Sequence, residues 1–284
     1  MKNWVSMMNL NVACVQLSSG ENLNKNIDSI RRLLKKNITE KIDLICLPEC
    51  TPLLTDSIKV IKKNIEDGKL EFFLDFIKKI SKSLNTFILI GSMPVQSRKN
   101  KFFNRSILID PKGKQVCFYD KINLFDVILD EKESYRESKN YDSGREIKVA
   151  KLSYGNLGLS ICYDIRFPIL YRKLVKKGAD FLIIQANDGW LGTSAGPFQH
   201  FAQAKLRAIE NRVSIVRGGN TGISGFILPN GEVMTKTSLG KQVIIKERLP
   251  IYNAGTFYTF YGDVFAAISF VIFLFIGPVN CLKK

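Results

Sequence analysis

Short apolar runs and longer stretches with an apolar residue every three or four positions succeed one another along the chain, the patterns of buried strands and of helices. Residues 11–17 form an apolar strand-like run, and Leu23, Ile27, Ile30 and Leu34 then mark a helix face. A second strand over residues 42–47 ends in Pro48-Glu49, and Phe73, Leu74, Ile77, Ile80 and Leu84 predict a second helix. A strand over 87–90 is expected to close at Gly91. Residues 106–109 and 115–119 flank Asp110-Pro111-Lys112-Gly113, whose proline and glycine signal a hairpin turn. Residues 123–145 are polar without a clean period and read as a long loop, a kind of segment that is often functional.

Residues 147–152 and 157–161 form a strand pair around Tyr154-Gly155-Asn156, and the second strand runs straight into Cys162. A helix starts at Pro168, a residue suited to a first helical position, and ends at Gly178. A strand over 181–185 follows, then a helix over 198–211 expected to turn Ala202, Leu206 and Ile209 inward. Strands over 213–216 and 224–228 and a turn at Pro229-Asn230-Gly231 lead into 232–235. This alternation, with its hairpins, predicts an α/β fold with mixed sheets in one domain over residues 1–250.

Composition adds constraints. Of 284 residues 45% are hydrophobic, enough for a sizeable core. The net charge of +16 raises nucleic acid, anionic membrane or acidic ligands as partners. The basic residues are scattered, however, and the aromatics lie in apolar runs, so no nucleic-acid partner is expected. Of the six cysteines none forms a C-x-x-C pair, and there is one histidine, so neither a disulfide framework nor a metal site is expected. No cofactor is expected either. The N-terminus carries no signal-peptide pattern.

Residues 251–284 form an aromatic and apolar tail. No charged residue intervenes between Asp263 and Lys283, Phe257, Tyr258, Phe260 and Tyr261 precede the apolar run, and Lys283-Lys284 close it. The tail is expected to be a C-terminal apolar helix and a membrane segment, with a buried tail helix as the alternative. Without a signal the catalytic domain would face the cytoplasm; the two terminal lysines, by the positive-inside rule, favour the extracytoplasmic face.

Three residues at strand ends carry candidate chemistry. Cys162 stands at a strand-to-helix junction, where a nucleophile is exposed and backbone N–H groups are free, although a buried cysteine is also often only a small hydrophobe. Glu49 ends an apolar strand, where general bases sit, although an acid there can also be a loop residue. Lys121, in Tyr119-Asp120-Lys121, could stabilise an oxyanion if it is buried beside a carboxylate, although most such lysines are solvated. A Cys–His pair using His200 is a rival, against a histidine that caps or lines its helix. A binding protein without catalysis is a rival of another class.

The stretches Ala13-Cys14-Val15-Gln16, Leu47-Pro48-Glu49, Tyr119-Asp120-Lys121-Ile122-Asn123-Leu124-Phe125-Asp126 and Ile161-Cys162-Tyr163-Asp164-Ile165-Arg166-Phe167-Pro168 resemble the nitrilase superfamily of carbon–nitrogen hydrolases. That resemblance implies a four-layer α-β-β-α sandwich, assembly as a homodimer, and a small amide or acyl donor as substrate. It implies Glu49 as base, Lys121 as oxyanion donor and Cys162 as the nucleophile that forms a thioester. Glu137 matches a second glutamate after the lysine, and Tyr163, Asn187 and Trp190 are expected to support or bind substrate. In the second half, Asn187-Asp188-Gly189-Trp190, Gly196-Pro197-Phe198-Gln199-His200, Arg207-Ala208-Ile209-Glu210 and Asn220-Thr221-Gly222-Ile223-Ser224 resemble the catalytic domain of apolipoprotein N-acyltransferase, as does the apolar tail. Hydrolysis of an amide and acyl transfer to an amine are therefore both expected chemistries.

Overall fold

The computed structural model describes residues 8–97, 101–128, 134–252 and 254–281. Its elements in chain order are β1 (Met8–Gln16), α1 (Leu23–Asn37), β2 (Leu44–Cys46), α2 (Ile58–Glu66), α3 (Lys69–Leu84), β3 (Phe87–Gln96), β4 (Phe102–Ile109), β5 (Gln115–Asp120), β6 (Asp126–Ile128) and β7 (Ser134–Arg136). The second half comprises β8 (Val149–Leu152), β9 (Gly155–Ile161), α4 (Pro168–Lys176), β10 (Phe181–Asn187), α5 (Gly196–Asn211), β11 (Ser214–Asn220), β12 (Gly225–Ile227), β13 (Val233–Lys236), β14 (Val243–Ile251), α6 (Phe257–Tyr261) and α7 (Val264–Cys281).

Two six-stranded mixed sheets dominate, in the orders β14-β1-β2-β3-β4-β5 and β13-β12-β11-β10-β9-β8. In each, three neighbouring strands are parallel: β1, β2 and β3 in the first, and β9, β10 and β11 in the second. The alternation of side chains along a strand assigns two cores to each sheet. On β1, Leu10, Val12 and Cys14 face the second sheet, against Leu159, Ile161 and Val216. Ala13 and Val15 face the other way, against Ile27, Ile30 and Leu34 of α1 and Phe73 and Ile77 of α3. A third core joins Leu182, Ile184 and Ile215 of the second sheet to Leu170 and Leu174 of α4 and Ala204 and Ala208 of α5.

Several expectations are corrected. Gly91 does not close its strand, because β3 continues to Gln96 across a register shift between Ile90 and Met93. The polar segment 123–145 holds the hairpin β6–β7 and a short 3-10 turn, Glu137–Lys139; residues 129–133 of that expected loop lie outside the described residues. On α5 the buried face is Phe201, Ala204 and Ala208 with the polar His200 and Arg207, while Leu206 and Ile209 are exposed. Small alanines let this helix lie close to the sheet, and the larger apolar residues are left outside.

The aromatic segment before the tail helix is docked on the domain. Thr256 caps α6, and Arg172 of α4 donates to the Thr259 carbonyl. The expected membrane span is not supported. The apolar side chains of α7 are exposed from Val264 to Phe275, but among the described residues no helix is long and apolar enough to cross a membrane.

Candidate active site

Glu49, Lys121, Cys162 and Asn187 all stand where a strand ends, and the parallel strands of both sheets deliver their carboxyl ends to the same place. Glu49 follows β2 through Pro48. Gly91 of β3 passes so close beneath that a Cβ there would lie 2.0 Å from the Pro48 carbonyl oxygen. Only glycine permits this approach, which sets the height of Glu49 above the sheet. Cys50 next to it has φ +55 and donates its N–H to Ser92 Oγ.

Lys121 follows β5, anchored by its N–H on the Asn104 carbonyl. Its ammonium is buried, 3.0 Å from Glu49 Oε1 and 2.8 Å from Glu137 Oε2. Asn104 of β4 donates Nδ2 to Glu49 Oε1 and to Glu137 Oε1, each at 2.9 Å. Burial opposes the charge on Lys121, but the two carboxylates outweigh it and hold the lysine protonated, well above its usual range. Glu49 Oε2 is buried with no hydrogen-bond partner among the described residues, so one basic oxygen is left free.

Cys162 begins a 3-10 turn after β9 with φ +49, a left-handed conformation unusual outside glycine. Asp164 fastens this turn: it accepts the Ile161 N–H at 3.0 Å, the Tyr119 hydroxyl at 2.7 Å, and the backbone and side-chain N–H of Asn123 at 2.9 and 2.8 Å. The elbow of Cys162 is thereby tied to the segment that carries Lys121. The Cys162 thiol donates to the Asn187 carbonyl at 3.8 Å. Burial and the nearby Glu49 charge push that thiol well up, so the resting sulfur keeps its proton.

These groups line one cavity of about 460 Å³, together with Glu137, Tyr163, Asn187 and Trp190. Its wall is aromatic: Phe125 meets Tyr163 edge-on with centroids 5.1 Å apart, and Tyr135 meets Trp190 at 5.4 Å. The structure thus brings together every residue that the sequence put forward for the site. Asn104, Asp164, Asp188 and Arg217 are the ones it did not. His200, near the start of α5, does not meet the Cys162 thiol: its ring faces the Cys162 carbonyl oxygen, 3.1 Å from Nε2. No cluster among the described residues could hold a metal ion.

Comparison with known proteins shows the family to which the chain belongs. The carbon-nitrogen hydrolase family profile matches residues 11–249. Deaminated glutathione amidase of Yersinia enterocolitica is 33% identical over 77% of this chain and 76% of its own. Apolipoprotein N-acyltransferase of Geobacter metallireducens is 29% identical over 67% of this chain, which spans only 39% of that enzyme. The crystal structure of Nit3 from Saccharomyces cerevisiae, a nitrilase-superfamily member, superposes with a TM-score of 0.70 and 25% identity, covering 86% of this chain and 91% of Nit3. With a family profile spanning both sheets and a relative sharing a third of its residues, this chain belongs to the carbon–nitrogen hydrolase family of the nitrilase superfamily.

Proposed function

We propose that the chain is an amidase-type carbon–nitrogen hydrolase, a four-layer α-β-β-α sandwich that works through a thioester on Cys162. The observation that carries this reading is the buried Lys121 clamped by Glu49 and Glu137, with Glu49 Oε2 left without a partner among the described residues and Glu49 lining the same cavity as Cys162.

In the reaction the Cys162 thiol gives its proton to Glu49 as the sulfur attacks the amide carbon. The oxyanion that forms is met by the Lys121 ammonium, which the two carboxylates keep charged. Glu49 returns the proton to the leaving nitrogen, the carbon–nitrogen bond breaks, and an amine or ammonia departs. A water then gives a proton to Glu49 while its oxygen attacks the thioester. Collapse releases the carboxylic acid, and the sulfur recovers its proton from Glu49. Glu137 acts on Lys121, and Tyr163, Trp190 and Asn187 shape the pocket around the acyl group. Asn187 Nδ2 is buried without a hydrogen-bond partner among the described residues and offers a donor to substrate.

The substrate is a small amide. Arg136, Lys139 and Arg166 also line the cavity, and these side chains suit negative charge remote from the amide. No cofactor and no nucleic acid enter this scheme, and the assembly is a homodimer. Acyl transfer to an amine is the second reading, favoured by the likeness to the Geobacter enzyme and by the exposed apolar α7. It uses the same thioester with an amine in place of water. In keeping with that helix, we place the chain against a lipid surface, attached by α7 without a span. The test of the reaction is the mass of the adduct on Cys162 after mixing with amides and phospholipids. A short polar acyl group supports the amidase, a fatty acyl group supports transfer, and turnover by Cys162→Ala would overturn both.

A further inference from the structure

Beneath Cys162 lies a set of buried polar side chains that the proposed reaction does not use. Arg217, in the interior of β11, is fully buried. Its guanidinium donates to both carboxylate oxygens of Asp188, at 2.7 and 2.9 Å, and to the Ile223 carbonyl. The same Nη2 lies 3.0 Å from His200 Nδ1, and Asp188 Oδ1 lies 2.8 Å from that nitrogen. On the far side of the ring, Nε2 faces the Cys162 carbonyl oxygen at 3.1 Å. A carbonyl can only accept, so Nε2 carries the proton and donates it. Burial and Arg217 push His200 below its ordinary range, while the Asp188 carboxylate beside Nδ1 draws it back up.

The chain of contacts ends on Cys162, the residue of the elbow that has a positive φ. A non-glycine residue in the left-handed region is strained and persists only where its surroundings over-determine it. Asp164 fixes the residues flanking Cys162, but its bonds go to Ile161, Tyr119 and Asn123. The Cys162 carbonyl itself is held by His200. The same segment also orients the sulfur, because Asn187, whose carbonyl accepts the thiol proton, precedes Asp188 directly. Asp188 is fixed in turn: Gly222 packs so tightly that a Cβ would stand 1.9 Å from its Oδ2.

We propose that Asp188, Arg217 and His200 form a positioning relay that holds the Cys162 carbonyl, keeps the nucleophile in its left-handed conformation and aims Sγ into the cavity. His200 is a positioning residue, neither a base nor a cap. This rests on Cys162 being the nucleophile, and the test separates the two claims.

Iodoacetamide, itself a small amide, is titrated against the full chain, and labelling of Cys162 is followed by mass mapping to give kinact and KI. Three variants are compared, each checked for cooperative unfolding: His200→Leu, similar in bulk without a donor; His200→Gln, whose amide N–H reaches the same carbonyl; and His200→Asn, polar but too short. The relay predicts that kinact falls about 100-fold in His200→Leu and His200→Asn with KI within about twofold, while His200→Gln recovers most of the loss. If His200→Leu fails to fold, the Gln–Asn pair decides alone. Equal kinact in all folded variants, or equal loss in Gln and Asn, overturns the relay. If the native chain shows no selective labelling of Cys162, it is the nucleophile assignment that fails.

Discussion

A lysine ammonium that is 2% exposed and paired with two glutamates makes Lys121 a structural element as well as a chemical one. Its removal leaves two buried carboxylates facing each other, and breaking a buried pair in this way costs about 3–5 kcal/mol. Lys121→Met is therefore expected to lose both turnover and stability, read from its urea midpoint, whereas Cys162→Ala loses turnover alone; a Lys121→Met chain as stable as the native one would refute the clamp. Asp188 behaves differently in acid. Burial raises its carboxyl, but Arg217 and His200 outweigh that and hold it at about 2, below the ordinary 3.8. Its contribution, roughly 2 kcal/mol, is present above pH 3.8 and is lost as the pH falls from there through 2. Asp188→Asn should flatten the stability curve over that window, and an unchanged slope would count against the assignment. The catalytic candidates were legible in the sequence because each ends an apolar run or lies in the polar segment after one. Arg217 and Asp188 were not: the arginine sits inside a strand that reads as ending at Val216, and its partner is supplied by another strand's end.

Among the elements, β14 is the one the sequence hid. Lys246, Glu247 and Arg248 interrupt its apolar pattern, since β14 is an edge strand with β1 on one side and solvent on the other. Yet it pairs antiparallel with β1 along Met8–Gln16, and Leu249 and Ile251 belong to the core between the sheets. A chain ending at Gln242 should lose cooperative unfolding, while one ending at Gly262 keeps it; the two transitions can be compared by circular dichroism, and a cooperative fold without β14 would contradict its place in the core. The helix α2 was hidden for a similar reason, because within it only Ile61 and Asn64 are buried. The β6–β7 hairpin has three-residue strands, too short to show a period. The elements β1, α1 and α3, by contrast, were legible because their side chains answer to a core on one face or both.

Taken whole, the molecule carries +16 and ends in a helix whose apolar side chains from Val264 to Phe275 have no protein cover. A helix apolar on all sides needs an apolar surround. The full chain is expected to float with vesicles containing anionic lipid, and a chain ending at Gly262 to stay in the aqueous fraction; flotation of neither would show that α7 is covered by a second copy instead, which sedimentation would register as a dimer that the truncation dissolves. The α/β character with mixed sheets was readable from the alternation of elements, but which ends of the sheets meet was not, because that depends on pairings between distant segments. One such pairing has a consequence for biogenesis. The first sheet takes β1 from one end of the chain and β14 from the other, so everything between them, including the whole second sheet, is synthesised while that sheet still lacks an edge. Glu49 and Lys121 belong to the first sheet and Cys162 to the second, so a nascent chain emerging from the ribosome holds all three residues long before it can hold them in register. Catalytic competence is therefore expected only once β14 has joined the first sheet.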